Sequence, residues 1–487
     1  MFFSNLYDKN KVFSKVRLLN KLIYSNKEFK KLLTNVYNKN MDHETFKTHS
    51  IIKIEEDPLL DLELSEDYKL KYINDKTKQD SAHFSYGLKK LEFENNLYKE
   101  IIIDLFSNEV YFNGFKKILL LNFFDKKYYE QEYDYNLSVP PIFHYLYHGY
   151  YEGKNPSSYF DASFYKEYNV NARKSEVNPL VYLVLKGMDE GMVKLNPSFY
   201  QPKAINRLYF KDKLSTLSSY GLNNKPRDKK VVVSLTSYPL RINDAKYAVY
   251  SLLNQEFKPD KLILWLAKEE FPNREKDIPK DLLNLTRYGL DIRWYHNIYS
   301  YKKLIPVLKE YSEEIIVTAD DDIFYPKDWL FKLYSTYIDF PNNIIVHRAR
   351  KMILESEEKF KEYNSWELIT DNREASFLTF MTGAGGILYP PHALYKDVFD
   401  EDKFLKLCKY GDDIWFWAMA VLNGSKFKIA YDCYHDLIYI NPARELNLLN
   451  ETTLWLTNRK GINDKHIRDV IKKYPEILKI IHDDLEK

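Results

Sequence analysis

The stretch Ile315-Ile316-Val317-Thr318-Ala319-Asp320-Asp321-Asp322-Ile323-Phe324-Tyr325-Pro326 joins a hydrophobic run to three consecutive carboxylates. A β-branched run of this kind is typical of a buried strand in a mostly parallel sheet. Ligands of open α/β sheets bind beyond the carboxyl ends of the strands. Three adjacent acids resist joint ionisation, and Mg²⁺ or Mn²⁺ would relieve that repulsion because carboxylate oxygens suit both ions. The structural alternative is a helix start with acids in its first turn.

Composition excludes several classes of protein. The chain has 487 residues, 45% of them hydrophobic and 29% charged, which predicts a globular protein of roughly two to four domains. A net charge of only +2 indicates no nucleic-acid partner. The two cysteines, Cys408 and Cys433, have no metal-type spacing, which favours a reduced cytoplasmic protein. The sequence shows neither a signal peptide nor an apolar run of membrane-spanning length.

Residues 1–115 are predicted to form a helical region with a basic and an acidic part. Residues 1–40 contain nine lysine or arginine residues against two acidic ones, and apolar residues recur near the helical period. Such a helix either lies on an anionic membrane surface or packs on its own protein. The acidic stretch 55–67 is either solvated or paired with the basic helix. The sequence leaves both choices open.

Residues 116–202 contain an internal repeat. Phe124-Asp125-Lys126-Lys127-Tyr128-Tyr129 recurs as Phe160-Asp161-Ala162-Ser163-Phe164-Tyr165, and four later residues recur in the same order: Pro141, Gly149, Glu152 and Gly153 as Pro179, Gly187, Glu190 and Gly191. Each copy is predicted to form two short helices, with a glycine at the end of the second, that pack on the neighbouring copy. The module is either a structural spacer or a surface that binds an acceptor glycan.

A polar linker is predicted at 203–229, followed by strands that alternate with helices. The strands are predicted at 231–236, 262–266 and 292–295, which indicates a doubly wound parallel sheet. No G-x-G-x-x-G or P-loop motif is present, which disfavours dinucleotide oxidoreductases and P-loop NTPases. A nucleotide bound without such loops needs a metal and basic groups at its diphosphate. The candidates for those basic groups are Arg241, Lys302 and Lys303, although the lysines could simply begin a solvated helix.

Residues 230–445 resemble a nucleotide-sugar glycosyltransferase of the GT-A fold, of the bacterial capsule and lipopolysaccharide type. The resemblance rests on five pieces in order: VVVSLTSYPLR (231–241), SYKKLIPVL (300–308), TADDDIFYP (318–326), TGAGGILYPP (382–391) and GDDIWFWAMAVLNG (411–424). The repeats resemble the FD-x-x-YY modules that accompany many bacterial polysaccharide glycosyltransferases. The implied fold class is α/β, a GT-A type Rossmann-like catalytic domain with a mostly parallel sheet and a helical N-terminal region. Residues 446–487 are predicted to add a helical extension.

The resemblance also implies a donor site. Its D-x-D acids, Asp320 and Asp322, would hold Mn²⁺ or Mg²⁺ against the donor diphosphate, with Asp320 closer to the ribose. Gly385 and Gly386 would let the backbone approach the donor sugar, unless they belong to an ordinary tight turn. His435 is the candidate for a further metal ligand, although a lone histidine is more often structural. The other donor-binding residues implied are Ser234, Thr236, Tyr238, Arg241, Lys303 and Trp415.

A second acidic pair, Asp412-Asp413, opens an apolar helix and is either a plain helix start or the catalytic pair. Inverting transfer needs a carboxylate to take the proton of the acceptor hydroxyl. The resemblance assigns that role to Asp413, with Asp412 bound to the acceptor or to the base.

The predicted function is inverting, metal-dependent hexosyl transfer from a UDP-sugar to a growing surface polysaccharide or lipid-linked glycan. The predicted location is cytoplasmic, at the inner face of the membrane. The alternatives are a metal-dependent phosphoryl or sugar-phosphate hydrolase and a non-catalytic carbohydrate-binding scaffold.

Overall fold

A computed structural model describes residues 105, 108–121, 123–135, 141–198, 202–372, 374–442 and 461–486. The predicted basic helix within 1–40 and the acidic stretch 55–67 lie outside these residues. The described residues of Met1–Gly187 and Lys194–Tyr200 form one compact unit, and those of Met188–Val193 and Gln201–Lys487 form a second. Within the described parts of the chain, no helix has the length and apolar character needed to span a membrane.

The described part of the first unit is built from short helices, and the two sequence copies fold alike. Asp125 and Asp161 occupy the same N-cap position, where their side chains accept hydrogen bonds from Tyr128 N and Phe164 N at 3.0 and 2.9 Å. The helix Pro141–His144 continues into the π-helical turn Tyr145–Gly149, and the helix Pro179–Tyr182 continues into the π-helical turn Leu183–Gly187. The helices are α1 (Glu109–Leu120), α2 (Lys126–Glu132), α3 (Pro141–His144), α4 (Ala162–Tyr168), α5 (Val170–Lys174) and α6 (Pro179–Tyr182).

A glycine recurs in both copies because a side chain at its position would overlap the hydroxyl group of a tyrosine that recurs with it. A Cβ on Gly149 would lie 2.0 Å from Tyr129 Oη, and one on Gly187 would lie 2.0 Å from Tyr165 Oη. Both tyrosines are buried and keep a polar partner: Tyr129 Oη lies 2.8 Å from His144 Nδ1, and Tyr165 Oη accepts from Asn169 Nδ2 at 3.0 Å. The motif FD-x-x-YY and the later glycine therefore form one packing unit.

The second unit contains a seven-stranded sheet. Its strands, in chain order, are β2 (Val231–Thr236), β3 (Lys261–Ala267), β4 (Leu290–Tyr295), β5 (Ile315–Thr318), β6 (Ile344–Val346), β12 (Ile387–Tyr389) and β13 (Phe427–Ile429). They lie in the order β13-β6-β12-β5-β2-β3-β4, and all neighbours are parallel except that β12 runs antiparallel to β5 and β6. The expected α/β fold class with a Rossmann-like, mostly parallel sheet is confirmed.

The strand order creates a switch point between β2 and β5. From β2 the chain moves outward on one side to β3 and β4, and then returns to place β5 on the other side of β2. Crevices at such reversals are the usual ligand sites of open α/β sheets. β2 and β5 are almost continuously apolar and buried, as strands covered on both faces should be. The loops that leave their carboxyl ends therefore meet.

The remaining elements surround this sheet. β7 (Ala349–Lys351) pairs antiparallel with β10 (Leu368–Ile369) and β11 (Thr379–Met381), β8 (Leu354–Ser356) pairs with β9 (Lys359–Phe360), and β1 (Lys203–Ala204) pairs with β14 (Ile438–Tyr439). The expected linker 203–229 thus contains β1 and the first helix of this unit. The helices are α7 (Arg207–Ser215), α8 (Ile242–Leu253), α9 (Lys280–Leu283), α10 (Ile305–Glu310), α11 (Trp329–Asp339), α12 (Glu401–Leu407), α13 (Asp412–Asn423), α14 (Asn463–Lys473) and α15 (Glu476–Leu485).

The two C-terminal helices belong to the core of this unit. Buried residues of α14 and α15, including Ile467, Val470 and Ile477, share one hydrophobic cluster with α13. Helix α13 ends at Gly424, whose φ of +78° suits the left-handed C-cap that glycine adopts without strain. The packing fixes the start of α13, where Asp412 and Asp413 lie.

The contact between Tyr129 and Gly149 predicts that changes at these two positions have non-additive effects on stability. Gly149→Ala should destabilise the helical unit by about 1–3 kcal/mol, because the new methyl overlaps the Tyr129 hydroxyl. Tyr129→Phe removes that hydroxyl, so the double variant should lose less stability than the sum of the two single changes. Hydrogen–deuterium exchange of peptides from 126–153 in the full chain measures this. Strict additivity would contradict the proposed overlap, and Gly187→Ala with Tyr165→Phe provides the matched control.

Candidate active site

The acidic triplet divides between two basic side chains. Asp321 is buried, with Ser237 Oγ donating to its Oδ2 at 2.5 Å and Arg241 donating to its Oδ1 at 3.1 Å. The same guanidinium nitrogen lies 2.7 Å from Asp322 Oδ2. Asp320 turns to the other side, where its Oδ1 lies 3.0 Å from Lys303 Nζ. Asp321 and Asp322 share one guanidinium while Asp320 pairs with a lysine, which relieves the repulsion expected from the sequence.

Lys303 links the two acidic pairs predicted from the sequence. Its ammonium group is buried, 3.0 Å from Asp320 Oδ1 and 3.1 Å from Asp412 Oδ2. Burial disfavours the charged form, but Asp320 and Asp412, with Asp413 adding to them, raise the pKa of Lys303 well above its ordinary value. The lysine therefore stays charged and holds the end of β5 against the start of α13.

Asp413 has hydrogen-bonding capacity that no described residue uses. Its Oδ2 accepts a hydrogen bond from Gly383 N at 2.9 Å, while its Oδ1 is buried and has no hydrogen-bond partner among the described residues. A Cβ on Gly383 would lie 2.8 Å from both Asp413 Oδ1 and Lys303 Nζ, so glycine is needed there. Burial and the neighbouring Asp412 raise the pKa of Asp413 to about 7, although Lys303 opposes the rise. This value suits proton transfer near neutral pH.

Polar residues of β2 and of the loop after it support the site. Ser234 is fully buried, and its Oγ donates to the Lys303 carbonyl at 2.6 Å. Thr236 Oγ1 donates to the Trp265 carbonyl at 2.8 Å. The ring of Tyr238 lies 5.5 Å from the Arg241 guanidinium. Lys302, by contrast, pairs with Glu270 at 4.0 Å and donates to Tyr299 O at 2.8 Å.

Three of the predicted donor-binding residues serve packing. A Cβ on Gly385 would lie 2.5 Å from Arg348, and one on Gly386 would lie 2.4 Å from the ring of Trp329. These glycines therefore allow protein groups to approach the backbone closely. Trp415 is completely buried, with its ring centroid about 6.1 and 6.0 Å from those of Phe404 and Tyr474. Its side chain fills the core instead of lining a sugar site, because it packs against Phe404 of α12 and Tyr474, which follows α14.

Two supporting residues escaped the sequence-based prediction. Tyr325 Oη accepts from Asp320 N at 2.7 Å and donates to Ala384 O at 3.2 Å, so it ties the acidic turn to the glycine turn. Ser237 holds Asp321, as described above. Both residues lie inside the quoted motifs, in TADDDIFYP and VVVSLTSYPLR, so a closer reading of polar groups within those motifs could have found them.

A divalent metal fits this site only in part. The side chains of Asp320 and Asp322 are 27% and 22% exposed, yet no group of three potential ligands exists among the described residues. His435 is half-exposed, and its Nε2 lies 3.5 Å from Asp436 Oδ1; no such group contains it either. Mg²⁺ bound with a nucleotide needs only one or two carboxylates plus phosphate oxygens and water. The donor set therefore suits an ion that arrives with a diphosphate.

Comparison with known proteins yields distant structural similarity. The chain is similar to a mannosyltransferase from Pyrobaculum calidifontis solved in complex with GDP-Man and Mn²⁺, at 14% identity over 56% of this chain and 74% of the other, with a TM-score of 0.33. It is also similar to 4-diphosphocytidyl-2C-methyl-D-erythritol synthase, at 10% identity over 47% of this chain and 100% of the other, with a TM-score of 0.29. No protein-family model and no curated protein matches the sequence.

The raised pKa of Asp413 predicts an unusual dependence of stability on pH. From about pH 4 to about pH 7 the unfolded carboxyl is ionised while the folded one keeps its proton, so rising pH penalises the folded state. Asp413→Asn lacks that penalty. Its free energy of unfolding should therefore increase relative to the unaltered chain across this range, by about 1 kcal/mol or more.

Asp397→Asn is the matched control with the opposite sign. Hydrogen bonds from Lys403 and Tyr474 lower the pKa of Asp397, so its carboxylate contributes stability above the unfolded pKa that is lost as the pH falls through the folded pKa. Asp397→Asn should be destabilising at pH 7, and the deficit should shrink in acid. Urea unfolding of both variants at several pH values measures the two trends, and parallel trends would contradict the raised pKa of Asp413.

Proposed function

We propose that the chain is an inverting, metal-dependent glycosyltransferase of the hexosyltransferase type. Its donor is a nucleotide sugar carrying UDP, and its acceptor is a growing surface polysaccharide or lipid-linked glycan. The observation that carries the proposal is the Lys303 bridge, whose ammonium group lies 3.0 Å from Asp320 and 3.1 Å from Asp412. A donor site at Asp320 and a base at Asp413 are thereby held side by side, as group transfer requires.

The donor half of the reaction belongs to the end of β5 and the loop after β2. Asp320 and Asp322 would hold Mn²⁺ or Mg²⁺, which when bound stabilises the charge that develops on the leaving diphosphate. Arg241 already contacts Asp322 at 2.7 Å and offers further guanidinium hydrogens to phosphate oxygens. Ser234, Thr236 and Tyr238 position this loop. His435 as a further ligand, and Gly385, Gly386 and Trp415 as direct donor contacts, remain predictions that the geometry does not support.

The acceptor half of the reaction belongs to Asp413. Its Oδ1 takes the proton from the acceptor hydroxyl, and the hydroxyl oxygen forms a bond to the anomeric carbon of the donor sugar. The bond from that carbon to the diphosphate oxygen breaks, and its electron pair leaves with the diphosphate. Attack comes from the face opposite the leaving group, so the configuration inverts. A pKa of about 7 lets Asp413 accept a proton at neutral pH, and Asp412 orients Lys303 beside it.

The other parts of the chain would serve the acceptor. The helical repeats could present or space the glycan, and a basic helix within 1–40 would hold the enzyme on an anionic membrane at its cytoplasmic face. If deletion of residues 1–40 leaves binding to anionic liposomes unchanged, that helix belongs to the packing of the protein.

The two acids should be separable in an assay with a UDP-sugar, Mn²⁺ and a glycan acceptor. Asp413→Asn should reduce transfer by about 100- to 10,000-fold, the usual contribution of a general base, while donor binding measured by calorimetry stays unchanged. Asp322→Asn should instead weaken donor binding in the presence of Mn²⁺. Full transfer activity in either variant would remove that residue from the mechanism. Rapid hydrolysis of the UDP-sugar without any acceptor would favour the hydrolase alternative.

The base should also appear in the pH profile. Since Asp413 must be ionised to accept the proton, kcat/KM should rise about tenfold per pH unit below pH 7 and level off above it. Initial rates at subsaturating acceptor between pH 5 and 9 measure this. A profile that is flat across that range would exclude Asp413 as the base.

A further inference from the structure

Arg350 lies on the small antiparallel sheet beside Asp413. It belongs to β7, where it pairs with Phe380 of β11, and Ala349 pairs with Met381. Two residues beyond Met381 is Gly383, whose N–H binds Asp413. Since residues opposite one another in an antiparallel pair share a face, Arg350 and Phe380 face the same side of this sheet.

That face also carries Arg348 and Tyr363. Arg348 lies two residues from Arg350 and donates to Thr382 Oγ1 at 3.0 Å. The Tyr363 ring packs against Phe380, with 5.8 Å between centroids, and lies 5.3 Å from the Arg350 guanidinium. Burial raises the pKa of Tyr363, while Arg350 and Arg348 oppose the rise and Asp413 adds to it. Tyr363 therefore lies within electrostatic range of all three charged groups.

Arg350 has no carboxylate partner among the described residues, unlike Arg241 and Arg293 of the same unit. Its guanidinium donates to Trp366 O at 2.6 Å, but its Nε is buried without a hydrogen-bond partner, and no ion pair forms between Arg350 and any described acid. Arg293 also lies over an aromatic ring, at 5.6 Å from Trp265, yet it pairs with Asp291 at 2.7 Å. A guanidinium has five donors in a fork that matches carboxylate and phosphate oxygens. Arg350 therefore has donors to spare for an anion.

The surroundings of Arg350 hold it in place. Tyr363 N donates to Asp464 Oδ1 of α14 at 2.7 Å, and Trp366 Nε1 donates to Lys361 O at 3.0 Å. Both segments carry groups that contact Arg350, so the guanidinium is positioned before any ligand arrives. A fixed donor group binds with less loss of conformational freedom than a mobile one.

We propose that Arg350, assisted by Arg348 and Tyr363, binds an anionic group of the acceptor, so that the substrate is an acidic glycan carrying carboxylate or phosphate. The inference rests on the proposed function, because it places the acceptor beside Asp413. Binding of the anion by the guanidinium would orient the neighbouring sugar hydroxyl toward Asp413 Oδ1. The alternative is that Arg350 only stacks on Tyr363 and stabilises the sheet.

Binding of three monosaccharide probes to the full chain tests the proposal: methyl β-glucuronide, glucose 6-phosphate and neutral methyl β-glucoside, each titrated by ligand-observed NMR. At least one anionic probe should bind about tenfold or more tightly than the glucoside, as a charge-assisted hydrogen bond would give. Arg350→Gln should abolish that preference, Arg350→Lys should keep part of it, and Arg293→Gln should leave it intact. The preferred probe distinguishes carboxylate from phosphate as the recognised group.

Equal binding of charged and neutral probes, or an anion preference that survives in a folded Arg350→Gln variant, would overturn the proposal. Folding of each variant is checked by its thermal unfolding. The outcome is independent of transfer chemistry, because Asp413→Asn should keep the anion preference while losing activity. Failure of the glycosyltransferase proposal would appear instead as no transfer from any UDP-sugar with Mn²⁺, whichever probe binds.

Discussion

The buried ammonium group of Lys303 is the interaction on which the site depends. A charge removed from water is costly unless it is paired and hydrogen-bonded, and here Asp320 and Asp412 meet that need from two sides. The backbone of the lysine is held in turn, because Ser234 donates to its carbonyl. One side chain therefore joins the ends of β2 and β5 to the start of α13, three places that are far apart in the sequence.

The same constraint explains how five acids coexist in one small volume. Asp320 and Asp412 share Lys303, while Asp321 and Asp322 share Arg241. Asp413 contacts a backbone N–H instead, and its Oδ1 has no hydrogen-bond partner among the described residues. The pairing separates four acids that contact basic side chains from one carboxyl whose pKa lies near 7. Different surroundings thus give chemically identical side chains different roles.

In the helical unit, too, the residue type at one position is required by the side chain at another. Tyr129 and Tyr165 bring their hydroxyl groups into the space that a side chain at Gly149 or Gly187 would occupy. The polar partner of the hydroxyl differs between copies, a histidine in one and an asparagine in the other. Close packing therefore requires the tyrosine and the glycine together, whereas the hydrogen-bond partner can vary.

The sequence by itself determined the fold class and the two acidic pairs. Hydrophobic runs of β2 and β5 that end in polar residues predict parallel strands with a site at their carboxyl ends, because the period and the burial of a strand are local properties. The alternation of strands and helices predicts a parallel sheet, whereas the strand order that places a switch point between β2 and β5 belongs to the tertiary structure. What only the tertiary structure decided was the partner of each side chain: Lys303 between Asp320 and Asp412, Gly383 instead of Gly385 facing Asp413, Trp415 in the core, and Arg350 with no acid among the described residues. Sequence patterns could not predict these, because a contact between residues tens of positions apart depends on how helices and loops pack, and packing is a property of the whole core.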